Sequence, residues 1–103
     1  LGNTITRQKD FIKEIGRPNG ANRFYSIEPI LEPIVLPKNN IPKKNIQWVI
    51  VGAETGNRKD KVIPKKDWII NIKNQCIELE IPIFMKESLS EIMGEDFIQE
   101  YPW

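Results

Sequence analysis

The chain of 103 residues contains no histidine and a single cysteine, Cys76. Without histidine, imidazole general bases, His-dependent catalytic triads and His metal sites are excluded within this chain. One cysteine forms neither a disulfide framework nor a cysteine-ligated cluster inside one copy, and it fits a cytoplasmic location. No metal site is expected. Long apolar runs are lacking as well. None approaches the roughly 20 residues of a membrane-spanning helix, and no charged-then-apolar signal peptide opens the chain, so no membrane partner is expected. An excess of charge of one sign is missing too: the net charge is +1, so the protein as a whole is not a polyelectrolyte binder. There is no internal repeat and no low-complexity segment. The chain opens on Leu1 without an initiating methionine. We therefore expect residues 1–103 to form one α/β domain that is a fragment of a longer protein.

What is present is the composition of a soluble globular domain, 40% hydrophobic and 28% charged. Short apolar runs alternate with helical patterns. Strands are predicted at Leu1 to Thr6, Arg23 to Glu28, Ile46 to Val51 and Ile81 to Lys86. The third is continuously apolar apart from Gln47, as buried parallel strands are. A brief helix is predicted from Gln8 to Ile15, ended by Gly16 and the turn Pro18-Asn19-Gly20. The strongest helix runs from Lys65 to Leu79, where Trp68, Ile69, Ile72, Cys76 and Leu79 recur at offsets of three and four. A last helix is predicted from Ser88 to about Glu100, interrupted near Gly94. Residues 29–45 form an irregular loop, because Pro29, Pro33, Pro37 and Pro42 forbid a long helix or a central strand. Its Ile30, Leu31, Ile34, Val35 and Leu36 nevertheless demand burial. The alternation predicts a parallel sheet of about four strands with helices. That is either an open sheet or half of a TIM-type barrel.

In such folds the carboxyl ends of the strands lie on one edge, where ligands bind and catalytic groups sit. Glu28, Glu54 and Lys86 follow three of the four strands and are expected to converge there. Pro29 holds Glu28 extended and gives it a defined direction. Gly52-Ala53-Glu54-Thr55-Gly56 allows a sharp turn and close approach of a ligand to the backbone at Gly52 and Gly56. It lacks the lysine-serine/threonine ending of a phosphate loop and the spacing of a dinucleotide fingerprint, and it also describes a plain strand-to-loop turn. Lys86 pairs with the glutamates, binds an anion, or acts as a base if desolvated. No catalytic residue is assigned. Cys76 falls on the helix stripe and reads as a small buried hydrophobe.

Charge is unevenly distributed. Arg58, Lys59, Lys61, Lys65 and Lys66 cluster against a lone Asp60, while Glu87, Glu91, Glu95, Asp96 and Glu100 follow Lys86 with no basic residue among them. Two solvated faces account for this. The alternative is a stand-alone α/β module that binds an anionic ligand or nucleic acid through the 58–66 loop, with Arg58, Lys59 and Lys61 as its contacts.

The run of strand-end motifs resembles a family of uncharacterised phage, prophage and bacterial proteins. The resemblance rests on Leu1-Gly2-Asn3-Thr4-Ile5, on Phe24 to Ile34, on Trp48 to Gly56 and on Gln75-Cys76. It continues through Pro82 to Leu89, Gly94-Glu95-Asp96 and Tyr101-Pro102. Ala53 stands where the family often has glycine. Full-length members resemble radical S-adenosylmethionine enzymes, with a three-cysteine motif in an amino-terminal half and an α/β barrel overall. The resemblance implies that this chain is the later part of that barrel. It implies S-adenosylmethionine and an iron–sulfur cluster for the full-length protein, neither held by this part alone. Glu28, Glu54 and Lys86 would shape the substrate or S-adenosylmethionine pocket. The implied partner is the missing amino-terminal half, and the isolated piece, inactive by itself, is expected to form a homo-oligomer.

Overall fold

A computed structural model describes residues 2–10, 23–36, 46–56 and 59–102. Four strands, β1 (Gly2–Ile5), β2 (Arg23–Ile27), β3 (Ile46–Val51) and β4 (Ile83–Met85), make one sheet in the order β1-β2-β3-β4. Every pairing is parallel. The expected α/β architecture with a four-stranded parallel sheet is therefore what the chain adopts. β3 matches its sequence pattern end to end, and the other strands are shorter than theirs.

The register aligns Ile5, Ile27, Val51 and Met85 in one row across the sheet. All four are buried, as are Tyr25, Val49 and Ile83 two residues earlier. Alternate residues of a strand face opposite ways, so these side chains share one face. Against that face lies α1 (Lys66–Leu79), whose Ile69, Ile72 and Cys76 are fully buried, with Trp68 and Leu79 packed at the margin. Each such aliphatic side chain contributes roughly 1.5–3 kcal/mol when removed from water. Pro64 precedes the helix, and Asp67 in its first turn complements the helix dipole. At its other end Glu80 adopts the left-handed conformation (φ 59°), with its amide bonded to the carbonyls of Cys76 and Ile77.

The opposite face of the sheet is different. Phe24, Ser26, Trp48, Ile50 and Phe84 are only half-buried, and Thr4 is exposed. An aromatic cluster occupies part of it. Trp48 lies 6.0 Å from Phe24, 5.8 Å from Phe84 and 6.0 Å from Tyr101 between ring centroids.

The irregular segment after β2 packs down through Ile30, Ile34 and Leu36, which are fully buried, whereas Leu31 is half-buried and Val35, expected inside, is 57% exposed because its backbone is turned outward to Gln8. Two glutamines hold the segment. Gln75 of α1, itself buried, accepts from the Leu36 amide (2.7 Å) and donates to the Ile34 carbonyl (2.9 Å). Gln8 does the same to Val35 between them, accepting at 2.6 Å and donating at 2.9 Å. A side-chain amide presents the same donor and acceptor pair as a peptide group, so residues 34–36 are bonded much as a strand would be.

One helix expectation is corrected and another is only partly described. The last helix does not run to Glu100. A 3-10 turn (Glu87–Leu89), α2 (Ser90–Met93) and a second 3-10 turn (Gly94–Asp96) lead into an extended segment. Gly94 at φ 53° breaks the helical path, and the edge of β4 offers unpaired backbone groups to the residues after Asp96. Met85 N–H bonds to the Ile98 carbonyl, Glu100 N–H bonds to the Ile83 carbonyl, and Phe84 bridges Gln99 antiparallel. Of the predicted helix 8–15, residues 8–10 form a 3-10 turn. The remainder lies outside the described residues, as do 37–45 of the proline-rich loop. No helix among the described residues is long and apolar enough to cross a membrane.

Candidate functional site

One residue beyond the buried row at the carboxyl edge stand Thr6, Glu28, Gly52 and Lys86. Backbone bonds carry the sheet ladder one step past the strands and fix the last three of these. Glu28 N–H reaches the Ile5 carbonyl at 3.2 Å, Gly52 N–H the Ile27 carbonyl at 3.0 Å, and Lys86 N–H the Val51 carbonyl at 2.8 Å. Strand alternation turns this row away from α1, toward the half-open face.

Glu28 and Lys86 sit at the ends of strands that are not neighbours, because β3 lies between them. Adjacent strands are about 4.8 Å apart, so the pair must bridge roughly 10 Å of backbone. It does so over Gly52. Lys86 Nζ meets Glu28 Oε1 at 3.0 Å, with the two side chains 45% and 33% exposed. A β-carbon on residue 52 would lie 3.1 Å from Glu28 Oε2 and 3.2 Å from its Cγ. The backbone at Gly52 is not left-handed, so the glycine serves space, not conformation. Its missing side chain is the channel through which Glu28 reaches Lys86. The Glu28–Pro29 peptide bond is cis.

The loops around this row are laced together. The Asp10 carboxylate accepts from the amides of Thr6 and Arg7 and from the Thr6 hydroxyl. Glu32 accepts from the Gln8 amide at 2.8 Å and pairs with Arg7 at 3.4 Å. Ser88 Oγ accepts from the Ala53 amide at 3.0 Å, joining the turn after β3 to the turn after β4.

The sequence-predicted residues separate into groups. Glu28, Gly52 and Lys86 are brought together. Glu54 follows β3 at the same edge, but its carboxylate accepts from the Val62 amide at 3.2 Å and so closes the 54–62 loop. Gly56 is a turn glycine at φ 97°, and its carbonyl accepts from Lys61 Nζ at 3.0 Å. Of the basic cluster, Lys61 is thereby engaged and Lys66 pairs with Asp96 at 2.9 Å. Lys59 is exposed in a turn, and Arg58 lies outside the described residues. Among the described residues no group of three or more Cys, Asp or Glu side chains could hold a metal ion.

Sequence reasoning missed Ser88, Gln75 and Gln8, whose hydrogen bonds position the loops that flank the row. Their signal was faint. A polar residue inside an apolar helix stripe, as Gln75 is, marks a buried hydrogen-bonding duty, and only the partner remained unreadable.

Cys76 is fully buried, and its thiol is pushed up to about 12, first by burial and then by the Glu100 charge. It remains a neutral packing group, as its place on the helix stripe predicts.

A family model described as a protein of unknown function, DUF5131, matches residues 1–94. The chain belongs to that family. No curated protein and no solved structure matches it.

Proposed function

We propose that this DUF5131 member is the carboxyl-terminal part of a radical S-adenosylmethionine-like barrel protein of the phage and bacterial kind, acting on a substrate not yet identified. One observation carries this reading: the Glu28–Lys86 pair, threaded over Gly52, lies at the carboxyl edge on the face that α1 leaves uncovered. In a barrel that face looks inward, and the carboxyl edge is the mouth where substrates bind. Two further features support it. The strands follow one another in order without reversal, as around a barrel and unlike a doubly wound sheet. Parallel sheets are covered on both faces, whereas here the second face is half-open among the described residues.

On this reading Glu28 and Lys86 present a fixed negative and a fixed positive group to a ligand at the mouth. Gly52 leaves the backbone bare beneath them, and Glu54 shapes the adjoining loop. An iron–sulfur cluster does not fit the residues present. Cys76 faces the core as a neutral thiol, and histidine is absent. Cluster ligands would come from an amino-terminal partner segment, and S-adenosylmethionine would bind only in the joined protein.

The reading is tested by extending the reading frame upstream and expressing the joined protein. A three-cysteine segment is expected there. After anaerobic reconstitution the joined protein should cleave S-adenosylmethionine, at least about tenfold more slowly in Glu28→Gln, which removes a charge at the site. Absence of the cysteine segment, or full activity in the variant, would refute it.

A further inference from the structure

The Glu28–Lys86 pair has bonding capacity to spare. Glu28 meets Lys86 through Oε1, while its Oε2 lies beside the bare backbone of Gly52 with no partner among the described residues. The Lys86 ammonium carries three donors, and among the described residues Glu28 is its one partner. Both side chains reach solvent, so the carboxyl edge offers two opposite charges side by side.

The uncovered face beneath the pair is graded along the strands. Two residues back, Thr4, Ser26, Ile50 and Phe84 stand in one row across the sheet. Two further back are Phe24 and Trp48, with the Tyr101 ring 6.0 Å from Trp48 and 5.3 Å from Phe84. At about 6.6 Å per step of two residues, roughly 13 Å of face separates the charged row from the aromatic one. Ile50 and Phe84 are half-buried apolar side chains behind Gly52 and Lys86. Ser26, behind Glu28 and in register with Ile50, is also half-buried, and its hydroxyl has no hydrogen-bond partner among the described residues.

We propose that this strip binds an aromatic α-amino acid as the substrate of the site. Charge decides the head of the ligand. An anion drawn to Lys86 is repelled by Glu28, 3.0 Å from that ammonium, and a cation drawn to Glu28 is repelled by Lys86. A zwitterion laid head to tail against the pair gains at both ends. An α-amino acid carries its ammonium and carboxylate on one carbon, as close neighbours, and so matches the pair. The face decides the body. A ring lying over Ile50 and against Phe84 extends the aromatic cluster and removes apolar surface from water. The Ser26 hydroxyl gives an indole N–H or a phenol O–H an acceptor. The inference names a substrate class for the site proposed above and rests on that reading, while every contact it invokes lies within this chain.

Amide chemical-shift titrations of the 103-residue chain with L-tryptophan, tryptamine, indole-3-propionate and L-methionine test it. The first three share the ring and differ in charge, and methionine keeps the zwitterion without the ring. Saturable shifts at Glu28, Ile50, Phe84 and Lys86 are expected with tryptophan. It should bind about two- to fivefold tighter than tryptamine or indole-3-propionate, and tighter than methionine. Glu28→Gln should remove its advantage over indole-3-propionate, and Lys86→Gln its advantage over tryptamine. A singly charged probe that binds as tightly as tryptophan, methionine that equals it, or shifts that never saturate would overturn the proposal. The four probes on the unaltered chain decide this even if a variant folds poorly. Those results leave the barrel reading to its own test, the upstream cysteines and cleavage of S-adenosylmethionine, so the two fail separately.

Discussion

At the scale of single residues, Gly52 has the largest consequence for its size, because what it lacks lets two strands two places apart touch. Gly52→Ala puts a β-carbon 3.1 Å from Glu28 Oε2, so Glu28 must give by a few tenths of an ångström where its reach to Lys86 is already long. The expected result is loss of the ion pair with only modest loss of stability, about 1 kcal/mol, since exposed ion pairs contribute little and a flexible side chain can move. Side-chain nitrogen and carboxyl-carbon NMR of Lys86 and Glu28 checks it, and unchanged signals would show that the channel over Gly52 is not needed. Cys76 gives the second residue-scale prediction. Its ordinary value is 9.0, and folding raises it to about 12. Between those values the unfolded chain binds fewer protons than the folded one. The contribution is therefore fully present below pH 9 and is lost as pH rises toward 12, by up to about 1.4 kcal/mol per pH unit. Iodoacetamide at about pH 8, below that ordinary value, should leave Cys76 intact in the native protein and modify it quickly in denaturant. Rapid native alkylation would contradict the burial.

At the scale of elements, the segment after β2 shows what a sequence does and does not disclose. Its prolines rule out a regular element and its apolar residues call for burial; in the described part the first holds, and the second holds for Ile30, Ile34 and Leu36 but not for Val35. What holds the segment down is two glutamines, Gln8 before it and Gln75 after it, the latter 39 residues beyond Leu36, and no local pattern encodes such a pairing. The strands and α1 were legible because alternation and the three-to-four spacing are local. The last helix was misread for the converse reason. Residues 97–100 answer to the unpaired edge of β4, a tertiary demand invisible in their own spacing. The candidate site divides in the same way. Its place at strand ends was readable, whereas the bridging of Gly52 and the turning of Glu54 onto Val62 depend on register. Gln75→Leu tests the clamp, since it leaves the Ile34 carbonyl and the Leu36 amide buried without their partners. A loss of about 2–4 kcal/mol in urea unfolding is expected, and a loss below about 1 kcal/mol would mean that the segment finds other bonds. Lys66 and, more distantly, Lys73 join α1 to Asp96 and hold that carboxyl below its ordinary 3.8. This contribution is present above that value and fades as pH falls below it.

At the scale of the whole molecule the sheet has two unlike ends. The sequence alone suggests nothing to shield the edge of β4, yet residues 98–100 run along it, and Trp48 Nε1 fastens them by donating to the Glu100 carbonyl at 2.8 Å. Residues 98–100 cover that edge, so on the barrel reading the barrel stays open at β4. β1 has one neighbour, β2, among the described residues, so the other end can accept a further strand. On the barrel reading proposed above, a preceding strand would take that position. In isolation, an identical copy presents the same edge and the same half-open face, and a two-fold axis would set the two β1 strands against each other. We therefore expect the isolated chain to dimerise through β1 and not through β4. Light scattering over a concentration series should show mass rising toward twice the monomer. Thr4 is exposed and shares the uncovered face with Ser26, Ile50 and Phe84 in register. Thr4→Lys places a charge at the edge where strands would meet, and it should return the protein to monomer while leaving its unfolding midpoint nearly unchanged. A strictly monomeric mass for the unaltered chain at high concentration would mean that this sheet closes its own surface. The half-open face would then be complete as it stands, and the barrel reading would lose its physical motive.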